Sequence, residues 1–259
     1  MTAPVFLGAP AELASLDAGD RYLLTGDEGR HARVVQRREV GEAIDLVDGR
    51  GLRLRCVVSG LPDGSGGKPQ SLELEVTARV VEPAPTPEIT LVQALAKGDH
   101  SEMAITTAVE TGVNAVVPWQ ADRSIVIWRG DRAEKSRAKW EAAVTAAAKQ
   151  SRRAYIPTVE PPVNTAQLVN LVKETVADQG VALVLDAAGA ISLEAAKLPV
   201  NGKILVIVGP EGGISDTELA ALNAAGANSV RLGQYIMRSS TAGPVAIAVI
   251  AMKLGRWIP

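Results

Sequence analysis

The sequence predicts an α/β protein in two parts, a small β-barrel followed by a mostly parallel sheet covered by helices on both faces. Three observations predict it. Up to residue 82 the chain reads as short strands broken by frequent turn signals. Residues 82–87, Glu-Pro-Ala-Pro-Thr-Pro, then place three prolines within five positions. Neither a helix nor a central strand accepts that spacing, so the segment reads as a stiff linker. Beyond it, apolar runs alternate with helical stretches, the pattern of a parallel sheet. The expected boundaries are 1–82 for the barrel, 83–88 for the linker and 89–259 for the α/β domain.

In the first part, Arg21 to Thr25 precedes a turn at Gly26-Asp27-Glu28-Gly29, and one helix is expected near His31 to Gln36. Ala43 to Val47 precedes Asp48-Gly49-Arg50-Gly51, a hairpin signal, and Leu52 to Val58 alternates apolar with basic residues. A loop rich in Gly, Pro and Ser over Gly60 to Pro69 leads to Ser71 to Val81, where Leu72, Leu74 and Val76 alternate with Glu73, Glu75 and Thr77. In the second part, Ile89 to Leu95, Ala115 to Val117, Val181 to Leu185, Ile204 to Val208 and Val230 to Leu232 read as buried strands. Helices are expected over Glu102 to Thr111, Glu134 to Gln150, Gln167 to Asp178, Asp216 to Ala225 and Val245 to Leu254. Gly112, Gly180 and Gly226 follow three of them, where a helix end often needs a left-handed residue.

Composition narrows the function. A length of 259 residues fits two domains or one large one, at roughly 100–200 residues each. No apolar run approaches the ~18 residues of a membrane span. The start, MTAPVFLGAP, has neither the basic region nor the apolar run of a signal peptide, so a cytoplasmic location is expected. Cys56 is the single cysteine and His31 and His100 the two histidines, which leaves a disulfide framework or a metal centre poorly supplied. A net charge of −2 means that any nucleic acid must be held by local basic patches. Aromatics at 3% are too few for extended base-stacking platforms.

The chemistry concentrates in three places. Ile204 to Val208 runs into Gly209-Pro210-Glu211-Gly212-Gly213 and then Ile214-Ser215-Asp216-Thr217-Glu218. Here a buried strand meets a glycine-rich turn, and Ser215 and Glu218 have capping-box spacing for the helix that follows. Strand carboxyl ends are where open α/β sheets bind ligands, and glycines let the backbone approach one closely. The turn matches neither the dinucleotide fingerprint nor the P-loop. The second place is Val230-Arg231-Leu232-Gly233 with the hydroxyl-rich stretch Gln234 to Pro244, and Leu183 to Gly189 adds a third strand-end loop. Together they suggest a pocket for a neutral or zwitterionic, partly apolar ligand. A side chain added at Gly212 is expected to fill the ligand's space.

The basic residues Lys97, Arg123, Arg137, Lys139, Lys149, Arg152 and Arg153, with Arg30, Arg33, Arg37 and Arg38 in the first part, are compatible with RNA contacts. Those at the end of a helix are equally explained by its dipole.

The ordered set Lys97-Gly98, Glu110-Thr-Gly112, Pro118, Arg123-Ser124, Gln150-Ser-Arg-Arg153, Gly209-Pro-Glu-Gly-Gly213 and Leu232-Gly233 followed by Met237-Arg238-Ser-Ser-Thr-Ala242 resembles the RsmE family. These are 16S rRNA uracil-N3 methyltransferases of the SPOUT superfamily. The resemblance spans essentially the whole chain, including His31 to Arg38 and Val47 to Gly51. It implies a PUA-like barrel for RNA binding and a methyltransferase domain with a C-terminal trefoil knot. It implies a homodimer acting on 16S rRNA in the 30S subunit, with S-adenosylmethionine (SAM) as methyl donor and no metal. By matching positions, SAM would be held by Leu185, Asp186, Gly209, Glu211, Gly212, Gly213, Ile214, Leu232, Gly233, Ile236, Met237, Arg238, Ser240, Thr241 and Ala242. Arg238 and Glu211 are the candidate catalytic residues, and Arg33, Arg37, Lys97, Arg123, Arg152 and Arg153 the candidate RNA contacts. The chain departs from the family's pattern at Lys149, Tyr235 and Ser240. Ribose 2′-O-methylation and a non-catalytic RNA-binding role remain as alternatives.

Overall fold

The computed structural model describes residues 3–62 and 70–257. The expected Gly/Pro/Ser-rich loop therefore lies, from residue 63 to 69, outside the described residues. The chain forms two compact units, Met1–Ala84 with Ala148–Ile156, and Pro85–Ala147 with Pro157–Pro259.

The first unit contains β1 (Val5–Leu7), α1 (Pro10–Leu13), β2 (Arg21–Leu24), α2 (Gly26–Arg30), β3 (Ala43–Val47), β4 (Leu52–Gly60) and β5 (Leu72–Val81). Its sheet runs β1-β3-β4-β5-β2, antiparallel except for the β1–β3 pair. Alternation in β4 buries Leu52, Leu54, Cys56 and Val58 and turns Arg53 and Arg55 outward from that core. Two register shifts between β4 and β5, at Arg55/Cys56 and Val58/Gly60, add the local twist that bulges produce. Burial, and then the nearby Asp45 carboxylate, push the Cys56 thiol up to about 12, so it stays protonated at neutral pH.

The stretch read as a turn at residues 26–29 is instead the first turn of α2, which runs into one π-helical turn at His31–Val35. Asp27 and Glu28 at its N-terminus favour the helix by meeting its dipole. A side chain at Gly29 would stand 2.5 Å from the Leu24 carbonyl oxygen and 2.6 Å from that of Gln70, so only glycine fits there.

Residues 148–156 were unexpected in this unit. Arg53 explains them: its guanidinium donates to Glu82 at 2.6 Å, to Asp45 at 2.8 Å and to the Arg152 carbonyl at 2.9 Å. The Tyr155 hydroxyl donates to the Glu82 carbonyl, and Ala154 is buried with Val5 and Val47. Lys149 pairs with Glu28 and lies over the Phe6 ring. The departure from the family pattern at Lys149 thus has a structural partner.

The second unit contains β6 (Glu88–Ala94), α3 (His100–Thr111), β7 (Ala115–Gln120), α4 (Asp131–Gln150), β8 (Thr158–Val159), β9 (Val163–Asn164), α5 (Thr165–Ala177), β10 (Val181–Leu185), β11 (Ile191–Ser192), β12 (Lys203–Val208), α6 (Asp216–Ala224), β13 (Asn228–Arg231) and α7 (Ser239–Lys253). The last turn of α4 belongs to the first unit. The sheet order is β11-β13-β10-β12-β6-β7-β8, with β9 beside β7, and every pairing is parallel. Val92, Ala94, Val117, Trp119, Val184, Leu205 and Ile207 form a core with Leu168, Val172 and Leu222 of α5 and α6. The helices α3 and α7 pack on each other and on β6.

Two of the differences from the expected boundaries have a clear physical reason. After α5 the left-handed residue is Gln179, at φ 62°, rather than Gly180. Glycine is needed at 180 because a Cβ there would lie 2.4 Å from the Lys203 carbonyl oxygen. The helix α7 begins at Ser239, so the hydroxyl-rich stretch is its first turn and Pro244 lies inside it. An internal proline removes one helical hydrogen bond. Tertiary burial of Ala242, Gly243, Pro244, Ala246 and Ile247 offsets that loss.

Candidate functional site

In the second unit, the carboxyl ends of β13, β10 and β12 stand side by side, and the loops that follow them line a cavity of about 810 Å³. That volume is within the ~300–1,000 Å³ range of small-molecule sites. The strands β12 and β13 are not neighbours, because β10 lies between them. All three still deliver their loops to one edge because the sheet is parallel. The loop after β10 is tied to β13: Asp186 N–H donates to the Val230 carbonyl at 2.9 Å, and a Cβ at Gly189 would lie 2.7 Å from the Val230 backbone.

The structure brings Leu185, Asp186, Gly209, Glu211, Gly213, Ile214, Leu232, Gly233, Ile236, Met237, Arg238 and Ala242 to the cavity wall. It does not bring Gly212, Ser240 or Thr241 there. Gly212 faces Arg123, whose Cβ would be 3.3 Å from an added Cβ, so a side chain at 212 meets that arginine rather than the ligand space. Ser240, 4% exposed, is buried in the first turn of α7, while Thr241 is exposed on the same helix. Several wall residues lie outside the candidate set, His100, Arg231 and Tyr235 among them. His100 begins α3, just past the end of β6, which neighbours β12. Strand order would have revealed it, but that order is not a local property of the sequence. Tyr235 and Arg231 flank residues already singled out.

The glycine-rich turn is clamped from outside the cavity. Arg123 donates through Nη1 to the Gly212 carbonyl at 3.1 Å, and Gly213 N–H closes a turn on the Pro210 carbonyl. Ser215 and Glu218 form the expected capping box at the start of α6. Glu218 does more than cap. Its carboxylate accepts from Asp122 N–H at 2.9 Å, the Thr165 hydroxyl at 2.7 Å and Ser215 N–H at 3.1 Å. Burial alone would raise its pKa, but these donors outweigh burial and hold the carboxyl below the ordinary glutamate range. One buried carboxylate thus joins the loop after β7, the start of α5 and the exit of the turn.

Replacing Glu218 with alanine leaves those donors unpaired and should cost about 2–3 kcal/mol of stability. A folded-state pKa below the unfolded value places the charged contribution above the unfolded pKa and removes it as pH falls through the folded one. Urea midpoints of wild type and Glu218→Ala should therefore converge in acid; a constant gap across the acid range would refute this account.

The candidate RNA contacts divide between the units. In the second, Lys97 is exposed just past β6 and Arg123 is exposed while holding Gly212. In the first, Arg37 is exposed at φ 53°, Arg33 is half-buried, and Arg152, at φ 60°, and Arg153 lie in the segment held by Arg53. Among the described residues, no group of three or more His, Cys, Asp or Glu could hold a metal ion. No described helix is long and apolar enough to cross a membrane.

Residues 82–251 match the family model of the RNA methyltransferase domain. The chain is 42% identical over 241 residues to the ribosomal RNA small subunit methyltransferase E of Mycobacterium tuberculosis, covering 93% of this chain and 90% of that one. It is 28% identical to the enzyme of the same name from Bacillus subtilis, covering 91% of each. A crystal structure of the Neisseria gonorrhoeae ribosomal RNA small subunit methyltransferase E bound to S-adenosyl methionine superposes with a TM-score of 0.82 at 28% identity. That match covers 97% of this chain and 98% of that one.

Proposed function

Because this chain belongs to the ribosomal RNA small subunit methyltransferase E family, we propose that it methylates N3 of a uridine in the 16S rRNA of the 30S subunit. The observation that carries this reading is the convergence of three strand-end loops, two of them glycine-bearing at the wall, on one cavity that also presents Arg238. The cavity fits SAM chemically. Leu185, Val208, Ile214 and Leu232 offer apolar wall for the donor's adenine ring, and Asp186 offers a carboxylate for its hydroxyl or ammonium groups. When bound, SAM supplies a methyl group activated on a sulfonium.

The residues of this chain then have three tasks. The loops orient the donor and the base, since a displacement at carbon needs nucleophile and leaving group in line. Arg238 stabilises the negative charge that spreads onto the uracil oxygens as N3 loses its proton. Glu211, exposed on the wall, accepts that proton.

The finer features implied by the resemblance belong to the same proposal. The first unit is a PUA-like barrel that binds RNA through Arg33, Arg37, Arg152 and Arg153, and the second unit contributes Lys97 and Arg123. The segment after β13 is threaded past the loop after β10 as a trefoil knot. Support comes from α7, which returns to pack on β12 and β6 although β13 lies beyond β10. Two copies pair as a homodimer, which would cover Tyr235 and Ile236, 78% and 89% exposed here. The protein works in the cytoplasm, where ribosomal subunits assemble.

The test is nucleoside mass spectrometry of small-subunit RNA from a strain lacking the protein, with and without complementation. The expected result is loss of N3-methyluridine and its return on complementation. A change confined to ribose-methylated nucleosides, or no change, would overturn the proposal.

A further inference from the structure

A second cavity in the second unit, of about 280 Å³, has no part in the reaction as described. Its wall includes Trp128, Trp140, Ser101, Glu102, Arg132 and Lys139. Two features give it a chemical character. Trp128 and Trp140 meet edge-to-face, with ring centroids 5.0 Å apart and planes at 74°, and Trp128 is only half-buried. In a chain with 3% aromatic residues, the half-buried Trp128, backed by the buried Trp140, offers this cavity a stacking face. The charge is also unbalanced. Lys139 pairs with Glu102 at 2.9 Å, which leaves the exposed Arg132 as an excess cation on the wall. An aromatic face beside a guanidinium suits one nucleotide of single-stranded RNA, the base against the indole and the phosphate against the arginine.

Its position gives the cavity a role. His100 lines the large cavity, while its chain neighbours Ser101 and Glu102 line the small one, so both open on the first turn of α3. We propose that the small cavity holds an unpaired nucleotide of the substrate RNA that flanks the methylated uridine, and so helps select the site. This rests on the reading of the chain as an RNA methyltransferase.

The experiment compares wild type with Trp128→Ala, Trp128→Phe, Arg132→Ala and Arg132→Lys. Three quantities are measured: affinity for a fluorescent small-subunit RNA fragment containing the target, methyl-transfer kinetics on 30S subunits, and SAM affinity by calorimetry. Trp128→Ala and Arg132→Ala should each raise the RNA Kd and KM by about tenfold, a typical loss for one stacked base, with SAM affinity within about twofold of wild type. Trp128→Phe, which keeps a π-face, should retain most of the affinity, and Arg132→Lys should retain part of it. RNA Kd and KM within about twofold of wild type in Arg132→Ala, or in a folded Trp128→Ala, would overturn the inference. Should Trp128→Ala melt early, the exposed Arg132 still decides it. Failure of the underlying reading looks different: wild type itself would transfer no methyl from SAM to 30S subunits, whatever the variants do to RNA affinity.

Discussion

Arg238→Ala is expected to lower methyl transfer to 30S subunits by about 10²–10³-fold while leaving SAM affinity within a few-fold. Arg238 occupies the N-cap of α7 with extended backbone and makes no side-chain cap, so the helix does not depend on its guanidinium. The side chain is exposed and lies on the cavity wall. Uracil N3 is a weak acid, and the charge left by its proton spreads over both ring oxygens. A guanidinium can meet such oxygens with two parallel hydrogen bonds, which become strong once bound RNA excludes water. The loss should therefore fall on kcat rather than on the donor's binding. Arg238→Lys should recover a small part of the rate, since it restores charge without the fork. Full activity of Arg238→Ala with unchanged kcat would remove this residue from the chemistry.

Gly233→Val is expected to weaken SAM binding by more than about 10²-fold with little change in melting temperature. Gly233 lines the cavity, its φ lies outside the left-handed region, and a Cβ added there meets nothing within 4 Å. Valine is therefore compatible with the fold, and at this position on the wall its volume is expected to take space that the ligand needs. The same argument fails at Gly212, where the sequence suggested it, because an added Cβ points at Arg123. Gly212→Ala is the matched control: it should disturb the Arg123 contact and leave SAM affinity much closer to wild type. Calorimetry on both variants decides the matter. Equal affinities for Gly233→Val and wild type would place the ligand elsewhere.

Much of this architecture was legible because its signals are local. Buried parallel strands need continuous apolar runs, and Val181–Leu185 and Lys203–Val208 lie within a residue of where those runs put them. A capping box needs two side chains three positions apart, and Ser215 and Glu218 form one. The glycine-rich turn announced itself by following such a strand. What escaped notice depended on partners distant along the chain. Residues 148–156 looked like a basic helix end, and only Arg53, Tyr155 and Ala154 bind them to the first unit. Pro244 looked like a helix boundary until the burial of its neighbours outweighed one missing hydrogen bond. His100 stands at the cavity because β6 lies next to β12, a neighbourhood that no spacing along the chain shows.

The sequence by itself determined which segments are strands, where helices are capped and which loops carry glycine, because periodicity, capping and backbone freedom act over a few residues. Only the tertiary structure decided that the loops after β10, β12 and β13 share one wall, that Gly233 opens on the cavity while Gly212 turns away, and that Glu218 ties three segments together. Those outcomes follow from strand order and side-chain direction, which are set by burial and hydrogen bonding between residues far apart along the chain.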